Sequence, residues 1–312
     1  MSVHTNINGV WRDTQTVSSN INSTWRSSAT GNVNISGVYR PFLLTAKPVL
    51  DDNTWDEIKA VSDAGLGANY WSIGEGKQFT SDSVYFSYGT RYAYIIGFNH
   101  NASLEGNNHI HFQLARATQL YSASQALTFI NTENHGTVHY MSDSTPTIAN
   151  AYVMNTAYSA SNTVGWARCS IRAYWNNTDL FNKIIAGVSN IESLIKPVIK
   201  YTDNVGGSSN SPANMSATSD YFFLLSEYEV FGNRTNANSA EQNYQQQYAY
   251  YASGSSRIKY SQGAGVLGTA KIWWLRSPSA ANSVSYCTVS TTGAIGTANP
   301  RYFYGVSPCF CI

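Results

Sequence analysis

The sequence predicts an α+β fold, and three observations carry that prediction. Apolar runs are short and broken by Gly, Pro, Ser and Asn through much of the chain. Two stretches have helical spacing of apolar residues. Charged residues make up only 12% of the 312, against 22 Tyr and 23 Gly, which favours strands, turns and hydrogen-bonding surfaces over long salt-bridged helices.

The first element is a repeat. Asn6-Ile7-Asn8-Gly9-Val10-Trp11-Arg12 returns as Asn20-Ile21-Asn22-Ser23-Thr24-Trp25-Arg26 and as Asn34-Ile35-Ser36-Gly37-Val38-Tyr39-Arg40, with a period of 14 residues. In each unit the Ile, the Gly or Ser and the aromatic residue alternate, which places them on one face of a strand. Three such short strands cannot bury both faces unaided. Residues 1–40 are therefore expected to be a β-repeat stem that attaches the protein or joins copies of it, with a trimer as the expected assembly.

Beyond Arg40-Pro41 the pattern changes. Thr54-Trp55-Asp56-Glu57 is a capping box, and Trp55, Ile58 and Val61 line one helical face until Gly65 stops it. Strands are expected at 83–88, 92–98 and 109–114. A second helix is expected from about Asp179 to Ser193, ending before Lys196-Pro197. The stretch from Val205 to Pro212 reads as a loop within one domain spanning 41–312, because strong patterning resumes at Tyr221.

Composition also excludes several functions. A net charge of +1 with no basic cluster leaves no footprint for gripping nucleic acid. No apolar run reaches the ~18 residues of a membrane-spanning helix, so no membrane insertion is expected. No basic start followed by an apolar stretch marks a signal peptide, which suggests release by lysis or within a particle. Cys169, Cys287, Cys309 and Cys311 form no C-x-x-C pair and read as small buried hydrophobes. No cofactor and no metal are expected. His109 and His111, with His100 or Glu105 nearby, are the alternative metal group, and Cys309 with Cys311 the alternative soft-metal pair.

The C-terminal motifs point further. Leu224 to Gly232 reads LLSEYEVFG, Trp273 to Pro278 reads WWLRSP, and Gly305 to Ile312 reads GVSPCFCI. In these, and in supporting stretches such as Ile95 to His100 and Ile195 to Val198, the chain resembles bacterial and phage domains of unknown function that have the C-type-lectin fold. Many of those are variable proteins of diversity-generating retroelements. The resemblance spans about residues 41–312, and the N-terminal repeats are similar to those of phage tail and fibre proteins. It implies a ligand-binding protein and not an enzyme, made in the bacterial cytoplasm and located on a virion or at the host-cell exterior, with the stem on the tail and a host-cell surface protein or glycan as its partner.

In that reading WWLRSP and GVSPCFCI are scaffold, and the variable region covers about 273–312. Val284, Cys287 and Val289 look structural. Ala280, Asn282, Ser283, Ser285, Tyr286, Thr288, Ser290, Thr297, Asn299, Arg301, Tyr302, Phe303 and Tyr304 are the candidate ligand contacts, being of the kinds that binding surfaces use. Trp273 and Trp274 face opposite ways, one to the core and one beneath the display surface. Arg276, between apolar residues, needs an internal carboxylate, Glu227 or Glu229. The rival readings are a formylglycine-generating-type oxidase or metal-dependent enzyme on the same fold, and a bacterial surface interaction protein. Calcium-dependent sugar binding would need more acids than the last hundred residues hold.

Overall fold

The computed structural model describes residues 3–79 except the connections 8–9, 15–16, 22–23, 29, 36–37 and 44–45. It further describes 91–116, 154, 165–176 and 191–312 except 206, 208–209, 263–266, 301 and 303, with most side chains from residue 46 on.

Each N-terminal repeat unit is the centre of a hairpin, not a single strand. The pairs are β1 (Val3–Ile7) with β2 (Val10–Thr14), β3 (Val17–Ile21) with β4 (Thr24–Ser28), and β5 (Thr30–Ile35) with β6 (Val38–Leu43). The registers match: Asn6 lies opposite Trp11, Asn20 opposite Trp25 and Asn34 opposite Tyr39. The expected single strands are corrected to hairpins: the Asn-Ile pair and the aromatic residue of each unit lie on separate, antiparallel paired strands, and the intervening Asn-Gly, Asn-Ser and Ser-Gly are turn-forming pairs in the sequence.

The capping box at Thr54 is present in both directions, and helix α1 (Trp55–Asp63) follows it. Gly65, at φ +69°, ends the helix in the left-handed region that favours glycine. A one-turn helix, α2 (Gly67–Tyr70), leads to a four-stranded antiparallel sheet. Its strands are β7 (Gly76–Phe79), β8 (Arg91–Phe98), β9 (Ile110–Arg116) and, from the far end of the chain, β17 (Cys309–Cys311). The order is β17-β9-β8-β7. Trp55 of α1 packs on this sheet, 5.6 Å from Phe112 and 6.0 Å from Phe310, and these two rings stack at 5.3 Å. Each such buried ring contributes roughly 2–3 kcal/mol.

The β8–β9 connection holds α3 (Ala102–Glu105) and is shaped by Asn99, Asn101 and Asn108, all with positive φ. α4 (Ser170–Trp175) and α5 (Ile191–Leu194) come next. Of the helix expected at 179–193, only the final turn falls within the described residues, and the strand expected at 83–88 lies outside them. β10 (Val198–Asp203) pairs with β11 (Met215–Asp220), and α6 (Glu227–Phe231) carries a second capping box, Ser226 with Glu229. After α7 (Ala249–Ala252) come the hairpin β12 (Lys259–Gln262) with β13 (Leu267–Lys271) and then a three-stranded sheet. That sheet is β14 (Trp273–Pro278), β15 (Tyr286–Val289) and β16 (Ile295–Ala298), in that order. The fold is α+β, with one core shared by helices and small antiparallel sheets.

Candidate functional site

The C-terminal forty residues sort by burial. Trp273–Pro278 and Gly305–Ile312 are buried from end to end. Every exposed residue among those described from 273 on lies between the two motifs, in 281–297. Trp274 sits 5.1 Å beneath Tyr304, while Trp273 on the other face donates to Arg257 O at 2.9 Å. The two tryptophans thus divide as their alternation predicts, although both are buried.

The thirteen candidate contacts do not all face outward. Asn282 and Thr297 are exposed, and Ala280, Ser283, Ser290, Asn299, Tyr302 and Tyr304 are half-buried. Ser285, Tyr286 and Thr288 are buried, which corrects their expected exposure. The reason lies in the sheet: β15 is its central strand, and all four of its residues are covered. Tyr286 reaches across to donate to Gly165 O at 2.9 Å. Alternation marks a solvent face only where one face of a strand is open. Ser290 has a local task, its hydroxyl accepting from the backbone of Thr292 and Ala294. Arg301 and Phe303 lie outside the described residues.

Two other loops join this face, and no local sequence signal marks either as part of it. Gly207 donates to Ser279 O at 2.8 Å, and Ala280 donates to Asn236 O at 2.7 Å. Gly207 has φ +83°, and a Cβ there would lie 2.1 Å from Ser283 Cα. At Gly207 the chain therefore packs backbone to backbone on the 279–285 turn. Glu227 fixes the third loop, its carboxylate accepting from the backbone amides of Thr235, Asn236 and Ala237.

Beneath the face lies a buried ionic cluster. Arg276 is fully buried and pairs with Glu229, as one of the two expected carboxylates. Its Nη2 donates to Glu229 Oε1 at 2.9 Å, its Nη1 to Glu229 Oε2 and to Leu224 O, and its Nε to Thr202 Oγ1 at 2.9 Å. Lys200 Nζ lies 3.2 Å from Glu229 Oε1, 2.6 Å from Glu105 Oε2 and 3.0 Å from Tyr248 Oη. Burial raises the Glu229 carboxyl, but Arg276 and Lys200 outweigh it and hold the group well below its ordinary range. Glu105 is pushed up to about 7 by burial, which outweighs the opposing pull of Lys200.

Of the alternative metal group, His100 and Glu105 come together, but with Glu229 in place of His109 and His111. His100, Glu105 and Glu229 lie within 4.8 Å of one another, with His100 Nε2 3.9 Å from Glu105 Oε1 and 4.0 Å from Glu229 Oε1. Two carboxylates are already matched by two cations, so a divalent ion would add uncompensated charge beside Lys200. Contacts near 4 Å also fit a shared water with its ~2.8 Å hydrogen bonds better than a metal with ~2 Å bonds. Cys311 Sγ lies 3.0 Å from His111 Nδ1, and both cysteine thiols of β17 are free, buried and raised by burial.

All four carboxylates of the last hundred residues, Asp220, Glu227, Glu229 and Glu241, are buried. The described part of the face therefore presents no carboxylate.

A family model for a domain of unknown function, DUF6273, matches residues 143–312, more than half of the chain. The chain belongs to the DUF6273 family. The DUF6273 segment contains the whole three-stranded sheet, both buried C-terminal motifs and the Arg276–Glu229 pair. No curated protein and no solved structure matches the chain.

Proposed function

We propose that this DUF6273 protein is a binding module that presents a substitutable face on a C-type-lectin-type framework. The face would be diversified by a retroelement and used for host attachment from a phage tail. One observation carries the reading: the two fixed motifs are buried throughout, while the polar and aromatic segment between them holds the exposed positions. Such a division lets the surface change without cost to the core.

The face is made of small polar groups, two half-buried tyrosines and backbone from three loops, without carboxylates among its described residues. Its chemistry suits hydrogen bonding and aromatic contact with a protein or glycan and not calcium-bridged sugar binding. The stem hairpins supply attachment. A two-stranded hairpin is marginal alone, so the three need a partner surface, and sister chains in a trimer would supply one together with avidity. The copper-oxidase rival would need Cys309 and Cys311 as accessible thiolates, whereas both are buried and held as thiols.

The test is the gene's locus. The expected result is a reverse transcriptase gene with a near-identical non-coding copy of the 273–312 segment nearby. Template adenines should fall at the codons of Asn282, Thr297 and their half-buried neighbours and avoid Trp273 to Pro278. A locus without a template copy, or with one that varies the buried motifs, would remove the diversification reading.

A further inference from the structure

Lys259, at the start of β12, is fully buried, and no ion pair to a carboxylate is formed by it among the described residues. Its Nζ donates to Tyr94 Oη at 2.8 Å and lies 3.3 Å from Gln113 Oε1. Gln113, fully buried on β9, accepts on the same oxygen from Tyr94 at 2.6 Å and from Tyr251 at 2.7 Å. One carboxamide oxygen thus gathers three donors, while its NH2 group reaches Ser307 O at 3.4 Å. The ring of Trp273 closes the site 4.9 Å from Nζ.

A buried ammonium with no counter-ion is costly, and burial draws Lys259 down to about 7. Much of it is a neutral amine near neutral pH, with a nucleophilic lone pair. Burial holds Tyr94 and Tyr251 far above the ordinary phenol range, so both remain proton donors. Donors aimed at a carbonyl oxygen stabilise the negative charge that develops there when a nucleophile adds. Holding the amine and the carboxamide together in a buried site replaces a bimolecular encounter by a unimolecular one.

We propose that Lys259 and Gln113 join as an intramolecular isopeptide bond. The Nζ lone pair adds to Gln113 Cδ, with charge on Oε1 held by the two tyrosines. The Cδ–Nε2 bond then breaks, and one Nζ hydrogen ends on the departing nitrogen, which leaves as ammonia. No oxidant or co-reactant is needed. The bond ties the main sheet to the hairpin that leads into Trp273, across 146 residues of chain.

Intact-mass measurement of the full chain tests this. The expected mass is lower than the sequence mass by one ammonia, and a tryptic digest should contain residues 92–116 joined to 258–271. Lys259→Met, which fills the site without an amine, should restore the full mass. An unmodified mass that persists after long incubation in mildly alkaline buffer overturns the proposal. So does an ammonia loss retained in Lys259→Met, or one with no joined peptide in the wild-type digest. In either case the loss comes from another site, such as Asn8-Gly9.

Discussion

Replacing Glu229 by Gln should cost more stability than any single change on the exposed face. The substitution keeps volume and removes one charge from a fully buried cluster in which Glu229 serves Arg276 through two nitrogens and Lys200 through a third. Arg276 would be left with neutral acceptors such as Leu224 O and Thr202 Oγ1, and Lys200 with Glu105 as its remaining carboxylate beside Tyr248 Oη. Removing one partner of a buried pair costs about 3–5 kcal/mol, because the surviving charge stays desolvated. Total stabilities lie near 5–15 kcal/mol, so a large share would be lost. At a urea dependence of roughly 2 kcal/mol per molar, the midpoint should fall by about 1.5–2.5 M. The assay is urea unfolding followed by tryptophan emission, with Trp273 and Trp274 among the reporters. Arg276→Met with Glu229→Leu should cost clearly less than the sum of the single changes, because no charge is then stranded. A Glu229→Gln midpoint within about 0.5 M of wild type would refute the claim that this pair holds the scaffold together.

Three further outcomes follow from the same contacts. Tyr286→Phe removes the bond to Gly165 O and should cost about 1 kcal/mol of stability, with any measured ligand affinity unchanged; an affinity loss without a stability loss would return Tyr286 to the binding face. Gly207→Ala should destabilise by about 1–3 kcal/mol and speed hydrogen exchange in 279–285, since both the positive φ and the approach to Ser283 resist a Cβ. Glu241 is pushed up to about 8 from 4.5, chiefly by burial, so the folded state holds a proton there that the unfolded state has released. Stability should accordingly decline as pH rises from about 4.5 to about 8, by up to ~1.4 kcal/mol per pH unit, and level off above. Glu241→Gln should match wild type near pH 5 and exceed it increasingly toward pH 8; parallel curves would contradict this assignment.

The sequence carried what depends on local rules. The capping box at Thr54, the stop at Gly65 and the need of Arg276 for a carboxylate were all legible, because each rests on one or two residues and a fixed spacing. The capping box of Ser226 with Glu229 follows the same fixed spacing. Asn8-Gly9 is a hairpin signal, and reading alternation through it turned each hairpin into one strand. Tyr286 shows a different limit. Its neighbours alternate as in a half-exposed strand, but whether β15 is central and covered on both faces depends on its partners in the sheet. Likewise, nothing near Lys200 or Lys259 in the chain announces Glu105 or Gln113, which lie 95 and 146 residues away. Buried polar pairings of that range come from topology, which periodicity does not encode.

The proposed binding role needs a rigid buried framework that holds replaceable side chains outward. A library randomised at Ala280, Asn282, Ser283, Thr297, Asn299, Tyr302 and Tyr304, displayed and selected against an arbitrary protein such as lysozyme, tests it most directly. Specific binders should emerge, with urea midpoints close to that of the parent. A library that yields no binders, or whose members are largely unfolded, would contradict it.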